Sequence, residues 1–123
     1  MTTNVVVNAG DDYLADRAVD LPPAVDADGN PIDLTGYDLT FMVAERVSGD
    51  VVIIKTSDYG QIDVGYQEYD RIGVAAIELF GMDTIALGNG PMDYELTGVD
   101  YDFRERTLLQ GRFYVTTGIT DGS

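Results

Sequence analysis

Asp28-Gly29-Asn30-Pro31-Ile32-Asp33-Leu34-Thr35-Gly36-Tyr37-Asp38-Leu39-Thr40-Phe41-Met42-Val43 is a run of turn-forming residues that passes straight into strict alternation. Leu39, Phe41 and Val43 fall on one side of an extended chain, and Asp38, Thr40 and Met42 on the other. Such a period-2 pattern is that of a strand with one face on a core and one face toward water. A loop feeding such a strand is the expected unit of an antiparallel β-sandwich.

Working outward, the same grammar recurs. Val5-Val6-Val7 reads as a short strand, broken at Ala9-Gly10-Asp11-Asp12. Tyr13–Val19 resumes an extended pattern, and a glycine interruption of this kind lets a strand switch sheets. Leu21-Pro22-Pro23 stops pairing, because proline has no donor. Val47-Ser48-Gly49-Asp50 turns the chain into Val51-Val52-Ile53-Ile54-Lys55-Thr56, a continuous apolar run that predicts either burial on both faces or an edge strand packed by a neighbour. Short strands follow at Gln61–Val64 and Gly73–Leu79, with Ala75, Ile77 and Leu79 inward. Gly81–Leu87 fits one helical turn capped by Asp83. Met92–Val99 alternates with Met92, Tyr94 and Leu96 inward, and Thr107–Thr117 with Leu109, Phe113 and Val115 inward. The sum is about seven or eight short strands, at most one short helical turn, and no long 3.6-period segment. The fold class predicted is an all-β, antiparallel, immunoglobulin-like sandwich. It forms a single domain over residues 1–123, with 1–9 as a pairing arm and 118–123 as a frayed tail.

Composition narrows function. The 123 residues carry 22 acidic and 7 basic side chains, a net charge of −15. Clustered cations, which phosphate binding requires, are lacking, so nucleic acid and anionic membranes are poor partners. No apolar run approaches a membrane span. Residues 1–7 lack the basic and apolar regions of a secretory signal, so the expectation is synthesis in a cytoplasm, where the chain either stays or from which it leaves by lysis. Of the acids, 17 are Asp, which favours turns over helix interiors.

Reactive chemistry is sparse. With no histidine and no cysteine, a His-based triad, a thiol nucleophile and a thiolate or imidazole metal site are all excluded. Lys55, the one lysine, reads as a solvated strand-end residue. Carboxylate pairs abound, but without tryptophan the aromatic lining of a sugar cleft is hard to supply. The expectation is no catalytic residue and no cofactor. Asp26, Asp28 and Asp33 weakly resemble a calcium loop, since calcium takes 6–8 oxygens, although the EF-hand spacing fails and Asp28-Gly29 serves a tight turn without any ion. Asp11, Asp12 and Asp16 form a second acidic group, and Asp100, Asp102 and Glu105 a third beside Arg104 and Arg106. Tyr66, Tyr69, Tyr101 and Phe103 lie in loops, where exposed aromatics favour interfaces and buried ones close the sandwich ends. Val5, Val6 and Val7 form a short uncharged strand that pairs either with a neighbouring chain or within its own.

Gly29-Asn30-Pro31-Ile32-Asp33-Leu34-Thr35-Gly36-Tyr37 with its strand, then Gly49-Asp50-Val51-Val52-Ile53, resembles the immunoglobulin-like domains of bacteriophage tail and baseplate proteins. The nearest named case is the N-terminal domain of siphophage baseplate upper proteins. Asp83-Thr84 with Leu87, Gly90-Pro91-Met92-Asp93-Tyr94-Glu95-Leu96, and Leu108-Leu109-Gln110-Gly111-Arg112-Phe113-Tyr114-Val115 carry the likeness from about Asp11 to Thr117. Met92 departs from a pattern that prefers tyrosine. Baseplate upper proteins also continue into further domains, so the resemblance implies a stand-alone version.

What the resemblance implies is a virion structural protein of the tail, baseplate or fibre-attachment region. Its partners would be other virion proteins and symmetry-related copies. Contacts would run through Val5–Val7 and the loops holding Tyr66, Tyr69, Tyr101 and Phe103. Two other readings share the fold: a decoration protein on the capsid exterior, and a calcium-dependent glycan-binding module for adsorption.

Overall fold

A computed structural model describes residues 4–8, 10–14, 18–65, 67–87, 92–100 and 102–116. Among them are eight strands and one α-helix. They run β1 (Val5–Asn8), β2 (Val19–Asp20), β3 (Asp38–Glu45), β4 (Val51–Thr56), β5 (Ile62–Asp63), β6 (Ala76–Ile77), α1 (Gly81–Leu87), β7 (Met92–Val99) and β8 (Glu105–Thr116). Short 3-10 turns occupy Ser57–Tyr59 and Tyr69–Arg71.

The strands make two sheets, β1-β8-β7-β3-β4 and β2-β6-β5. From β2 to β8 this is the immunoglobulin variable-type arrangement: strands B, E and D oppose G, F, C and C′. The chain is therefore an all-β immunoglobulin-like sandwich. Alternation dictates the core. Leu39, Phe41 and Val43 on β3 are buried with Met92, Tyr94 and Leu96 on β7, as the sequence predicts. The rings of Phe41, Tyr94 and Phe113 meet at centroid distances of 5.7, 6.1 and 6.5 Å, in the tilted and edge-on geometries that aromatic quadrupoles prefer. Leu21, Ile62 and Ile77 close the same cluster from the smaller sheet.

Three details refine the sequence reading. First, the pairing is not wholly antiparallel. β1 lies parallel on β8, with Val5 opposite Phe113 and Val7 opposite Val115. Gly10 (φ +87°) then turns the chain toward the second sheet, where Tyr13 bridges Leu79. Of the two readings of this arm, pairing within the chain holds: Val5 and Val7 enter the chain's own core, and of the three valines only Val6 projects to solvent. Pairing within the chain wins because alternation gives β1 two inward valines that a free arm would leave wet.

Second, of the two alternatives for β4 the edge position holds and burial on both faces does not: Ile53 points inward, while Val51 and Ile54 are exposed. Third, Lys55 is not solvated. It points inward, is only 5% exposed, and donates to Asp83 Oδ2 at 2.8 Å, with its ammonium 5.4 Å from the Phe80 ring centroid. The strand's inward phase forces the aliphatic stem into the core, and α1 supplies the carboxylate a buried ammonium requires. Asp83 also accepts the Phe80 N–H, so the expected cap on α1 is present and doubly employed.

Candidate functional site

Four connections leave the sandwich at one end. Asp38, the first residue of β3, pairs with Val99, the last of β7, which pairs with Glu105, the first of β8. The β2–β3 and β7–β8 connections therefore emerge together. The β4–β5 connection joins them through Ser57 Oγ, which accepts the Leu39 N–H.

The β5–β6 connection is tied in by Gln67. Its Oε1 accepts the N–H groups of Leu34 and Gly73, and its Nε2 donates to the carbonyls of Val64, Arg71 and Val74. One side chain thus satisfies backbone groups that no ladder reaches, which is how a loop over a core avoids unpaired polar atoms. Gly73 completes the join: it sits at φ +86°, and a Cβ there would come within 2.7 Å of the Ala24 carbonyl oxygen. Arg71 pairs with Asp20 at 2.9 Å to brace the same loop.

On this frame stand three exposed rings. Tyr69 is 90% exposed, Phe103 89% and Tyr59 81%. Tyr69 (φ +54°) and Phe103 (φ +61°) are the non-glycine residues with left-handed backbone among those described. Bulky side chains rarely adopt that region, and surrounding structure must hold them there. At Phe103 the holding is explicit. Its N–H donates to the Asp100 carbonyl, and Asp100 Oδ1 accepts the N–H groups of Asp102 and Arg104. These bonds, that of Arg104 foremost, hold the Asp100 carboxyl below its ordinary value. The third acidic group is thus a turn organiser.

The weak calcium-loop candidate is organised as a set of turns. Asp26 Oδ1 accepts the N–H groups of Asp28 and Asn30, closing the turn around Gly29. Asp33 Oδ1 accepts the N–H of Thr35, whose hydroxyl and backbone hold the Asp33 carboxyl below its ordinary value. The carboxylates of Asp26 and Asp33 each serve their own loop, and Asp28 contributes its backbone N–H. Among the described residues no three acidic side chains converge on a metal position, so Asp26, Asp28 and Asp33 are not a ligand set. In the second group, Asp12 accepts the Gly81 N–H and ties the first turn to α1; Asp16 lies outside the described residues.

A second surface was not legible in the sequence. The outward rows of β4, β3, β7 and β8 enclose a shallow depression of about 550 Å³, walled by Met42, Ala44 and Val51 and rimmed by Glu95, Gln110 and Arg112. Asp93 on its floor is held by Arg46 at 3.0 Å. Only strand register brings these residues together: Ala44 faces Asp93 and Asp93 faces Arg112.

Of the expected contact residues, Tyr69 and Phe103 stand at the loop end. Val5 and Val7 are core, Val6 is exposed on β1, and Tyr66 and Tyr101 lie outside the described residues. Sequence reasoning missed Tyr59, which follows Asp58 much as Phe103 follows Asp102, and it missed the bracing role of Gln67, which bonds four backbone groups of its own loop and the distant Leu34 N–H.

No protein-family description matches the chain, and no curated protein matches it. Among solved structures it is similar to one of murine CRIg, with 13% identity and a TM-score of 0.38, over 94% of this chain and 92% of that one.

Proposed function

We propose that this chain is a non-enzymatic structural module of a tailed-bacteriophage virion. It would act in the tail, baseplate or fibre-attachment region by presenting its loop end to other virion proteins. The observation that carries the contact role is the pair Tyr69 and Phe103: large rings held almost wholly in water, on backbone that costs free energy to maintain. A folding role does not account for them, because neither ring is packed. Support for the virion setting comes from the sequence likeness at Gly29–Tyr37, Asp83–Leu87 and Leu108–Val115.

The mechanism is geometric. A braced sandwich fixes the rings, and symmetry-related copies repeat the contact, so individually weak contacts add through effective concentration. A charge of −15 keeps unassembled copies apart in solution. Mass spectrometry and imaging of purified particles of the encoding phage test the reading. The expected result is the chain in the tail region with its loop end against another virion protein. Particles without the chain would overturn the proposal, and a position on the head exterior would replace tail attachment with capsid decoration.

A further inference from the structure

We infer that the loop end recognises arginine side chains on a different protein chain; this rests on the contact role proposed above and names the partner's chemistry. Each of the three exposed rings at this end directly follows an exposed carboxylate: Asp58 before Tyr59, Glu68 before Tyr69, Asp102 before Phe103. Asp12-Tyr13 and Asp93-Tyr94 have the same order elsewhere in the chain, but Tyr94 is buried in the core, whereas at the loop end both members of each of the three pairs are exposed.

An exposed carboxylate one residue from an exposed ring offers a guanidinium both of its interactions. Its fork hydrogen-bonds the carboxylate while its plane stacks on the ring. Lysine, a strongly hydrated point charge, gains the first interaction and little of the second. An apolar partner is disfavoured, because covering the rings would desolvate the adjoining carboxylates without a partner. Arg104 and Arg106 also stand at this end; Arg106 approaches Asp100 at 4.0 Å, and Arg104 bonds Asp100 through its backbone N–H.

A second copy of this chain is disfavoured as the source of the cations, because each copy carries a net charge of −15 and three of its seven basic residues, Arg46, Lys55 and Arg71, are paired to Asp93, Asp83 and Asp20. Nucleic acid and anionic lipid carry the wrong sign. The occupant is therefore an arginine-bearing protein surface, and the complementary charge speeds encounter at low salt.

The test is an NMR titration of the full chain with three synthetic peptides of alternating glycine and arginine, glycine and lysine, or glycine and citrulline. The arginine peptide should shift resonances at residues 58–60, 67–71 and 102–104 and bind about threefold more tightly than the lysine peptide, with citrulline inert. Tyr69→Asn and Phe103→Asn together should reduce arginine binding to the lysine level. Asparagine accepts left-handed backbone, so the variant keeps its fold. Equal binding of arginine and lysine, or undiminished arginine binding by the double variant, would overturn the inference. Should the peptides fail while the double variant still cannot enter particles, the arginine assignment falls and the loop-end contact stands. Normal entry of that variant removes the contact role itself.

Discussion

Replacing Gln67 by alanine isolates the device that holds the loop end together. The amide accepts two backbone N–H groups at Oε1, and its two N–H hydrogens are shared among three carbonyls. That amounts to four bonds made at once, at about 1 kcal/mol each net, or about 4 kcal/mol. Freeing a glutamine side chain returns about 1.5–2 kcal/mol of rotamer entropy. The expected loss is thus about 2–3 kcal/mol, a large share of a typical domain's stability. It should be read in urea unfolding as a lower midpoint at unchanged slope, and as a Tm lower by about 10 °C. Gln61→Ala is the internal control. Gln61 Oε1 accepts only the Thr56 N–H, so its loss should be about 1 kcal/mol or less. If Gln67→Ala cost no more than Gln61→Ala, water would be replacing the amide, and the account of the brace would be wrong.

Other perturbations probe the rest of the molecule. Asp83→Ala leaves the Lys55 ammonium buried without its carboxylate and uncaps α1, so it should destabilise by about 3 kcal/mol, with partial recovery on adding Lys55→Met, as measured by denaturant midpoints. Val7→Ala should cost about 2 kcal/mol while Val6→Ala stays within about 0.5 kcal/mol, and a reversed ranking in the same assay would disprove the register of β1. The carboxyls of Asp33 and Asp100 should titrate below their ordinary value of 3.8 in carboxyl-detected NMR. Because folding lowers these pKa values, the stability they add is present above that pH and fades as pH falls through the folded value, so Asp33→Asn and Asp100→Asn should flatten the acid limb of the stability curve.

Much of the sandwich is local in origin and hence legible. Period-2 burial on β3 and β7 follows from side-chain alternation, and alternation alone assigns Phe41, Val43, Tyr94 and Leu96 to the core they occupy. The glycine break at Gly10 marked the switch between sheets, and Asp83 marked the start of α1. Alternation could not say which chain β1 would pair with, because pairing depends on a partner strand more than a hundred residues away. Nor could a single lysine in an apolar run reveal its carboxylate, which arrives on another element.

The loop end divides in the same way. Sequence alone determined that Tyr69 and Phe103 sit in connections, since turn chemistry is written in neighbouring residues. Tertiary structure alone decided that those connections share one end, that both rings stand clear of the core on left-handed backbone, and that the carboxylates of Asp26 and Asp33 are spent on their own turns. The physical reason is range: backbone preference and alternation act over a few residues, whereas exposure, register and the fate of a carboxylate are settled by whatever the fold brings alongside.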